Sequence, residues 1–469
     1  MGSSPTPGFM IEPRPATLEE VSGEPVRVGA GTAVLLRGTI DAATAGRARV
    51  ELRVGGRSHR VGVAAAPSAG PGRVLWWALV PVPAGCVGPL PLEIGVRGNS
   101  DSLGRLELAS PEPRGTSLAF PDGDSPLIAV CMATYEPDPR RLARQVDSIR
   151  AQSWPRWICL ISDDASSAPG SAAIEDAIGG DGRFIVSRSP ERLGFYANFE
   201  RALGMVPAEA SLVALSDQDD RWHPDKLAAL TAELDDRPRA LLAYSDMRIL
   251  DDEGEVISDT FWYQSTNAYE DLATLAIVNT VTGGASLFRR ELLDLALPFP
   301  PSFSDQHYHD HWLALCALAT GELAYLDRPT YDYTRHAESV TVGASRQWSA
   351  PARSTSGRLV QRLKVIGRRI RLALERGAWS AAYLDRFLML RQYASVLEAR
   401  AGGRIPAARR RRLELVTRAD RSPRAFGWLL VRTLRPLLGH DETLGRERVL
   451  AGGIVWWCSA SAWVRLARR

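Results

Sequence analysis

The spacing of apolar positions changes character twice along the chain. Between residues 25 and 110, apolar and polar residues alternate in short runs at Arg49–Val54, His59–Ala64, Arg73–Val82, Leu92–Val96 and Leu103–Leu108. Turn-forming stretches such as Pro67–Gly72 separate them. Period-two alternation marks half-buried strands, and several in succession predict a small β-sandwich. Ser110–Pro126, proline-rich and charged, reads as a linker. From Leu127 the runs become continuously apolar. Ile128–Met132 is followed by a loop at Ala133–Pro137 and then by Leu142, Val146 and Ile149 on one helical face. Asp138 is placed to cap that helix and Pro139 to occupy its first position. Trp157–Ile161, Phe184–Ser187, Ser211–Leu215 and Ala240–Tyr244 complete a set of buried strands separated by helices. That order predicts an α/β parallel sheet, whose ligands gather at the carboxyl ends of the strands. Beyond about residue 350 the pattern is helical to the end, with Gly402–Gly403 as a break. The expected units are therefore 1–110, a linker at 111–126, an α/β unit at 127–345 and a helical region at 346–469.

Composition alters this picture in one place. At 469 residues, 45% apolar and 24% charged, the chain belongs with ordinary globular proteins rather than disordered or fibrous ones. Of its 57 basic residues only Lys226 and Lys364 are lysine, and the net charge of +3 hides a division. Residues 351–469 hold 26 Lys and Arg against 8 Asp and Glu, a local charge of +18. Leu359–Leu374 interleaves aliphatic residues with arginine at helical spacing, and Trp428, Trp456, Trp457 and Trp463 suit a lipid headgroup zone. The tail is thus expected either to meet an anionic membrane surface or to pack as a helical bundle on the α/β unit. No nucleic-acid-binding motif accompanies the charge. Five scattered cysteines without a CxxC pair support neither a disulfide framework nor a zinc site. Met1–Pro7 is small and polar, Phe9–Ile11 is too short for the apolar part of a secretion signal, and Val449–Val464 is shorter than the roughly 20 residues that span a bilayer. A cytoplasmic protein, at most peripheral on a membrane, is expected. In the first unit Trp76 and Trp77 either fill the core or line a sugar-binding face.

Candidate chemistry clusters just past three predicted strands: Thr134–Tyr135–Glu136, Asp163–Asp164–Ala165–Ser166 and Ser216–Asp217–Gln218–Asp219–Asp220. One layer of the fold aims all three at one crevice. Carboxylates at i and i+2 in an extended loop can share a direction, and oxygen-only ligands suit Mg²⁺ or Mn²⁺. A diphosphate bridged by such a metal is the natural partner, although any single Asp pair can equally make a turn or a helix cap.

These clusters stand in a longer series. ERLGFYANFERAL (191–203), LSDQDDRWHPDKL (215–227), YSDMRILDDEGEVI (244–257), TGGASLFRRELL (282–293), HDHWLALCAL (309–318) and YDYTRHAESVTVG (331–343) follow the opening TYEPD and DDAS. Over residues 127–345 the chain resembles the family 2 inverting nucleotide-sugar glycosyltransferases of GT-A fold. The last three motifs are most similar to the rhamnosyltransferase-type subgroup. The resemblance implies a GT-A domain preceded by the β-sandwich and followed by the helical basic tail.

It also implies roles. Thr134, Tyr135 and Asp163 would meet a pyrimidine base, with Glu136 and Asp164 beside them, and Arg192 and Asn198 would close the base and ribose pocket. Asp217 would hold the ribose or sugar, and Asp219 the divalent metal, Mn²⁺ or Mg²⁺, under the diphosphate. Asp310 matches the catalytic base, since inversion needs one carboxylate near the acceptor hydroxyl. From its local sequence alone Asp310 could equally cap the following helix. Gly283 and Gly284 would form tight backbone beneath the sugar, with His309 and Trp312 near sugar or acceptor, Trp312 either stacking or packing. His336 would approach the metal or diphosphate. The chain departs from the family at Glu191–Arg192–Leu193–Gly194, where Asn-x-Gly is usual, and at Tyr333–Thr334–Arg335–His336. The partners implied are a nucleoside-diphosphate sugar, dTDP-rhamnose first, and a glycan or lipid-linked glycan acceptor. A UDP-hexose donor is the same-class alternative, and a catalytically silent glycan-binding scaffold the alternative from another class.

Overall fold

A computed structural model describes residues 16–19, 25–47, 49–96, 99–112, 114–115, 123–264, 266–335, 376–435, 442–443 and 445–466. The amphipathic stretch Leu359–Leu374 and His336 lie outside the described residues.

The central sheet runs, strand by strand, Phe184–Arg188, Trp157–Asp163, Leu127–Thr134, Ala210–Ser216, Ser286–Arg289, Ala240–Leu250, Glu322–Thr334 and Arg221–Trp222. The first four are mutually parallel, Ser286–Arg289 is antiparallel to both its neighbours, and Ala240–Leu250 pairs in parallel with Glu322–Thr334. Leu127–Met132 and Trp157–Asp163 are buried at every position, as their unbroken apolar runs require of strands covered on both faces. Asp138 accepts hydrogen bonds from the N–H groups of Arg140 and Arg141 and opens the Pro139–Arg150 helix. The carboxyl ends of Leu127–Thr134, Trp157–Asp163 and Ala210–Ser216 are adjacent, and their loops form one crevice.

Ahead of this sheet, Ala16–Leu18, Thr32–Asp41, Arg73–Val82 and Gly62–Ala64 form one sheet. Val26–Arg27, Asn99–Ala109, Gly88–Val96, Val50–Val54 and Arg57–Arg60 form another. Val34, Leu36, Trp76, Leu52, Ile94 and Leu106 share one core, whereas Ala33, Leu35, Leu75 and Trp77 join the core of the central sheet. Neighbouring residues on the same strand thus serve opposite cores. Trp76 and Trp77 fill these cores and present no sugar-binding face. The Trp76 indole donates to the Thr17 carbonyl, and Trp77 packs against Tyr383 and Trp457.

The C-terminal helices Arg376–Ala381, Leu388–Ala401, Ala407–Thr417, Pro423–Arg432 and Arg446–Leu466 pack on both other parts. Gly402, at φ 47°, breaks the second of these from the third. Gln392 donates through Nε2 to the carbonyls of Ala33 and Pro301 and accepts through Oε1 from His307 Nε2, so one amide joins all three regions. Of the tryptophans expected at a headgroup zone, Trp457 stacks on Tyr383 with ring centroids 4.7 Å apart and Trp456 packs beside it. Trp428 lies under the Arg432 guanidinium, and Trp463 is exposed. Among the described residues no helix is long and apolar enough to cross a membrane.

Arg400 is the strongest of these ties. It is buried, its Nε donates to the Gly31 carbonyl at 2.7 Å, and its Nη1 donates to the Leu295 and Ala296 carbonyls at 3.0 and 2.9 Å. Arg400→Met strips the Gly31 and Leu295 carbonyls of their donor, while Ala296 keeps the Trp312 indole, and should cost about 2–4 kcal/mol, read as a lowered guanidinium midpoint.

Candidate active site

At the tip of the Leu127–Thr134 strand, the Thr134 hydroxyl donates to Asp163 Oδ1 at 3.2 Å, and Ser166 Oγ donates to the same oxygen at 2.5 Å. Tyr135 stands out of this floor, partly exposed, with the Arg192 guanidinium 4.0 Å above its ring centroid. Two contacts set that arrangement. The Gln218 side chain accepts from the Tyr135 N–H at 2.9 Å and donates to its carbonyl at 3.1 Å, clamping the loop as a neighbouring strand would. Asp164 accepts from the N–H groups of Leu193 and Gly194 at 2.6 and 2.9 Å, holding the turn that carries Arg192. Asp164 therefore works through that turn. Glu136, at the unusual φ of 41°, gives its carboxylate to the N–H and hydroxyl of Ser167. Asn198 is buried and spends its amide on the Thr134 and Ser162 carbonyls and the Ser162 hydroxyl. These two residues shape the pocket walls.

Deeper in the crevice the acid loop meets the glycine turn. A Cβ added to Gly284 would lie 3.1 Å from Asp217 Oδ2 and 3.5 Å from Asp220 Oδ2, and one on Gly283 only 2.8 Å from His309 Nε2. Glycine is required here by close approach. Burial, together with the charges of Asp219 and Asp310, raises the Asp217 carboxyl above the usual carboxylate range. Burial and the charges of Asp219 and Asp217 do the same to Asp220. Arg144 reaches in from the Pro139–Arg150 helix to donate to the Asp219 carbonyl at 3.0 Å and the Thr334 hydroxyl at 2.7 Å. It thereby brings the end of Glu322–Thr334 against the acid loop.

Asp310 lies in the first turn of the His309–Thr320 helix, whose cap position is held by Tyr308. Its Oδ2 accepts from the Gly283 N–H at 3.1 Å and its Oδ1 from the His311 N–H at 2.7 Å. Burial pushes the carboxyl up to about 6, against the lowering effect of those hydrogen bonds. His309 beside it stacks on Phe199 at 3.7 Å, and among the described residues neither of its ring nitrogens has a hydrogen-bond partner. Burial lowers its pKa to about 3, so the ring is neutral. His307 and His311 face Gln392 and the Leu275 carbonyl respectively, and no group of three or more His, Cys, Asp or Glu side chains among the described residues forms a ready metal cage.

Trp312 corrects an expectation. It has no exposed surface, its indole N–H donates to the Ala296 carbonyl, and its ring packs on Tyr393, so it cannot stack on a sugar. The helix is buried at His309 and at every position from His311 to Ala319, so Trp312 enters the core with its neighbours. Gln218 and Asp220 stood in the expected acidic cluster without an assigned role, Lys226 fell within the 215–227 motif unassigned, and Arg144 was not singled out.

With this geometry in place, the comparisons with known proteins can be set beside it. Residues 129–295 match the family described as Glycosyl transferase family 2. That stretch, about a third of the chain, is similar to the members of this family. Among curated proteins it is 31% identical over 125 residues to the uncharacterised protein y4gI of Sinorhizobium fredii, covering 26% of this chain and 13% of that one. It is 23% identical over 175 residues to protein CgeD of Bacillus subtilis, covering 36% and 39%. The chain thus spans well under half the length of these two relatives. Among solved structures it is similar to residues 1–349 of S. aureus TarS, with 14% identity, a TM-score of 0.39 and coverage of 71% of this chain and 91% of that one. It is also similar to the mannosyltransferase PcManGT of Pyrobaculum calidifontis in complex with GDP-Man and Mn²⁺, with 17% identity, a TM-score of 0.37 and coverage of 76% and 90%.

The burial of Trp312 sets one expectation. Trp312→Phe should lower stability by about 1–3 kcal/mol, as a core truncation does, while leaving acceptor KM unchanged in a transfer assay.

Proposed function

We propose that the chain transfers a sugar, with inversion, from a nucleoside diphosphate to a glycan or lipid-linked glycan hydroxyl, and that Asp310 is the base. The observation that carries this reading is the seating of Asp310. Its carboxylate is fixed by two backbone N–H groups, faces Asp217 across the glycine turn, and is kept basic by burial. An attacking hydroxyl must shed its proton as the new bond forms, and a carboxyl poised near 6 is half way between holding that proton at neutral pH and being too weak to take it. Tyr135 and Arg192 supply a face and a cation for a base, with Thr134 and Asp163 at its edge. The boundaries 1–110, 127–345 and 346–469 are proposed as accessory, catalytic and packing units. A cytoplasmic location with peripheral membrane contact through the tail belongs to the same reading.

The donor set suits a hard divalent ion. Asp217 and Asp219 supply oxygen ligands at i and i+2, and the raised pKa values of Asp217 and Asp220 mark a place where negative charge lacks compensation. Asp219 would hold Mn²⁺ or Mg²⁺, with diphosphate oxygens completing the shell, and His336 is proposed near the same point. When bound, the ion would neutralise charge on the departing nucleoside diphosphate. dTDP-rhamnose is the first donor to test, with UDP-galactose and UDP-N-acetylglucosamine beside it.

Asp310→Asn keeps the shape and the Gly283 contact and should reduce transfer at least about a hundredfold, with donor affinity near that of the parent. Because the ionised carboxylate is the active form and its pKa is raised to about 6, parent activity should fall as pH drops through about 6 rather than near 4. The Asn variant should lose that acid limb. Normal transfer by Asp310→Asn would remove Asp310 from the mechanism. Asp219→Ala should abolish the divalent-ion dependence of nucleotide binding, measured calorimetrically, while the fold melts normally.

A further inference from the structure

Among the described residues nine large apolar side chains are exposed, and six of the nine lie between Leu430 and Leu466, on or beside the last two helices. Leu430, Val431 and Leu434 stand at the end of the Pro423–Arg432 helix. Val455, Trp463 and Leu466 belong to the Arg446–Leu466 helix and are exposed by 44, 59 and 66%. The two groups meet, because Arg448 near the start of the second helix donates through Nε and Nη2 to the Thr433 carbonyl, each at 3.2 Å.

Helical spacing gathers the second group on one face. Arg448, Val455, Ser459, Trp463 and Leu466 fall at i, i+7, i+11, i+15 and i+18, a stripe about 27 Å long at 1.5 Å per residue, and all five are exposed. The opposite face is spent on the protein. Leu450, Ile454 and Val464 are buried, Gly453 lies against the backbone of Trp379 and Tyr383, and Trp457 stacks on Tyr383. A helix packed by one face turns charged and polar residues to water on the other. From Val449 to Val464 this one has no charged residue at all.

Charge identifies the occupant. Residues 421–469 contain nine arginines and three acidic residues, Asp441, Glu442 and Glu447. Glu442 and Glu447 are buried and paired with Arg435 and Arg432, whereas Arg424 and Arg448 are exposed. In sequence the uncharged run is bracketed by Arg446 and Arg448 before it and by Arg465, Arg468 and Arg469 after it. A convex apolar stripe that carries a tryptophan and is flanked by arginine fits the plane of an anionic bilayer, with the stripe at the boundary of headgroups and acyl chains and the guanidinium groups on lipid phosphates.

We propose that the outer face of the Arg446–Leu466 helix, continued by Leu430, Val431 and Leu434, docks on an anionic bilayer. This rests on the peripheral membrane contact proposed above and assigns it to one face. Trp428, Trp456 and Trp457, which share the tail with Trp463, are spent on packing.

The test compares the full chain with the triple substitution Val455→Ser, Trp463→Ser and Leu466→Ser, which leaves every charge in place. Because these side chains are exposed, Tm should stay within about 4 °C of the parent. In flotation at low salt the parent should rise with phosphatidylcholine vesicles containing about 30% phosphatidylglycerol and remain behind with phosphatidylcholine alone. The triple variant should bind the mixed vesicles at least about tenfold more weakly. Equal binding by parent and variant overturns the assigned face and leaves a membrane contact standing. No binding by the parent overturns both, and equal binding to phosphatidylcholine alone overturns the anionic partner. A parent dimer that the substitutions dissolve, seen by light scattering, would place a second copy on this face, and a fall in Tm beyond about 10 °C would place the chain's own residues there. Either result overturns the proposal.

Discussion

Negative charge gathered out of water dominates this molecule. Asp217, Asp220 and Asp310 meet around two glycines, and burial raises the pKa of each. Such a cluster survives only where fixed dipoles and cations answer it. Backbone N–H groups from Gly283, His311 and Thr334 do so directly, and Lys226 is the one ammonium at hand among the described residues. The glycines are part of the same constraint, because any side chain at 283 or 284 would take the space the carboxylates and His309 occupy. What remains uncompensated at the acid loop is the electrostatic condition that a divalent ion and a diphosphate would fulfil.

The rim follows a different logic from the floor. Asp163, Asp164, Glu136 and Asn198 are held by hydrogen bonds within the protein, and through them the loops after two strands are locked in place. Tyr135 and Arg192 are what these contacts present to solvent. Polar residues near a site thus divide into those that display a surface and those that fix it, and most of the expected base-pocket residues belong to the second kind.

The basic tail owes much of its apolar content to packing. Tyr383, Tyr393 and Trp457 close cores begun by Trp77 and Trp312, while Arg400 and Gln392 satisfy carbonyls of both other regions. Removing these helices would expose those rings and orphan those carbonyls, so the three regions are energetically one body even though the sequence changes character between them.

How much of this was legible beforehand depends on which faces an element buries. Leu127–Thr134 and Trp157–Asp163 were readable because strands covered on both sides demand continuous apolar runs, and Asp138 could be placed as a cap because capping is local. Thr32–Asp41 went unread because its alternate residues enter two different cores, which erases the period on which strand detection rests. Glu322–Thr334 was obscured by its central charged residues, exposed where the strand shifts register. The order of acidic motifs, the glycine pair and HDHW were fixed locally and pointed to one crevice. The burial of Trp312, the use of Asn198 and Asp164 as internal braces, and the seating of Lys226 on the Gly284 carbonyl required tertiary structure. Each depends on which segments distant in sequence supply the partner, and a hydrogen bond or a buried charge is defined by that partner rather than by the residue that bears it.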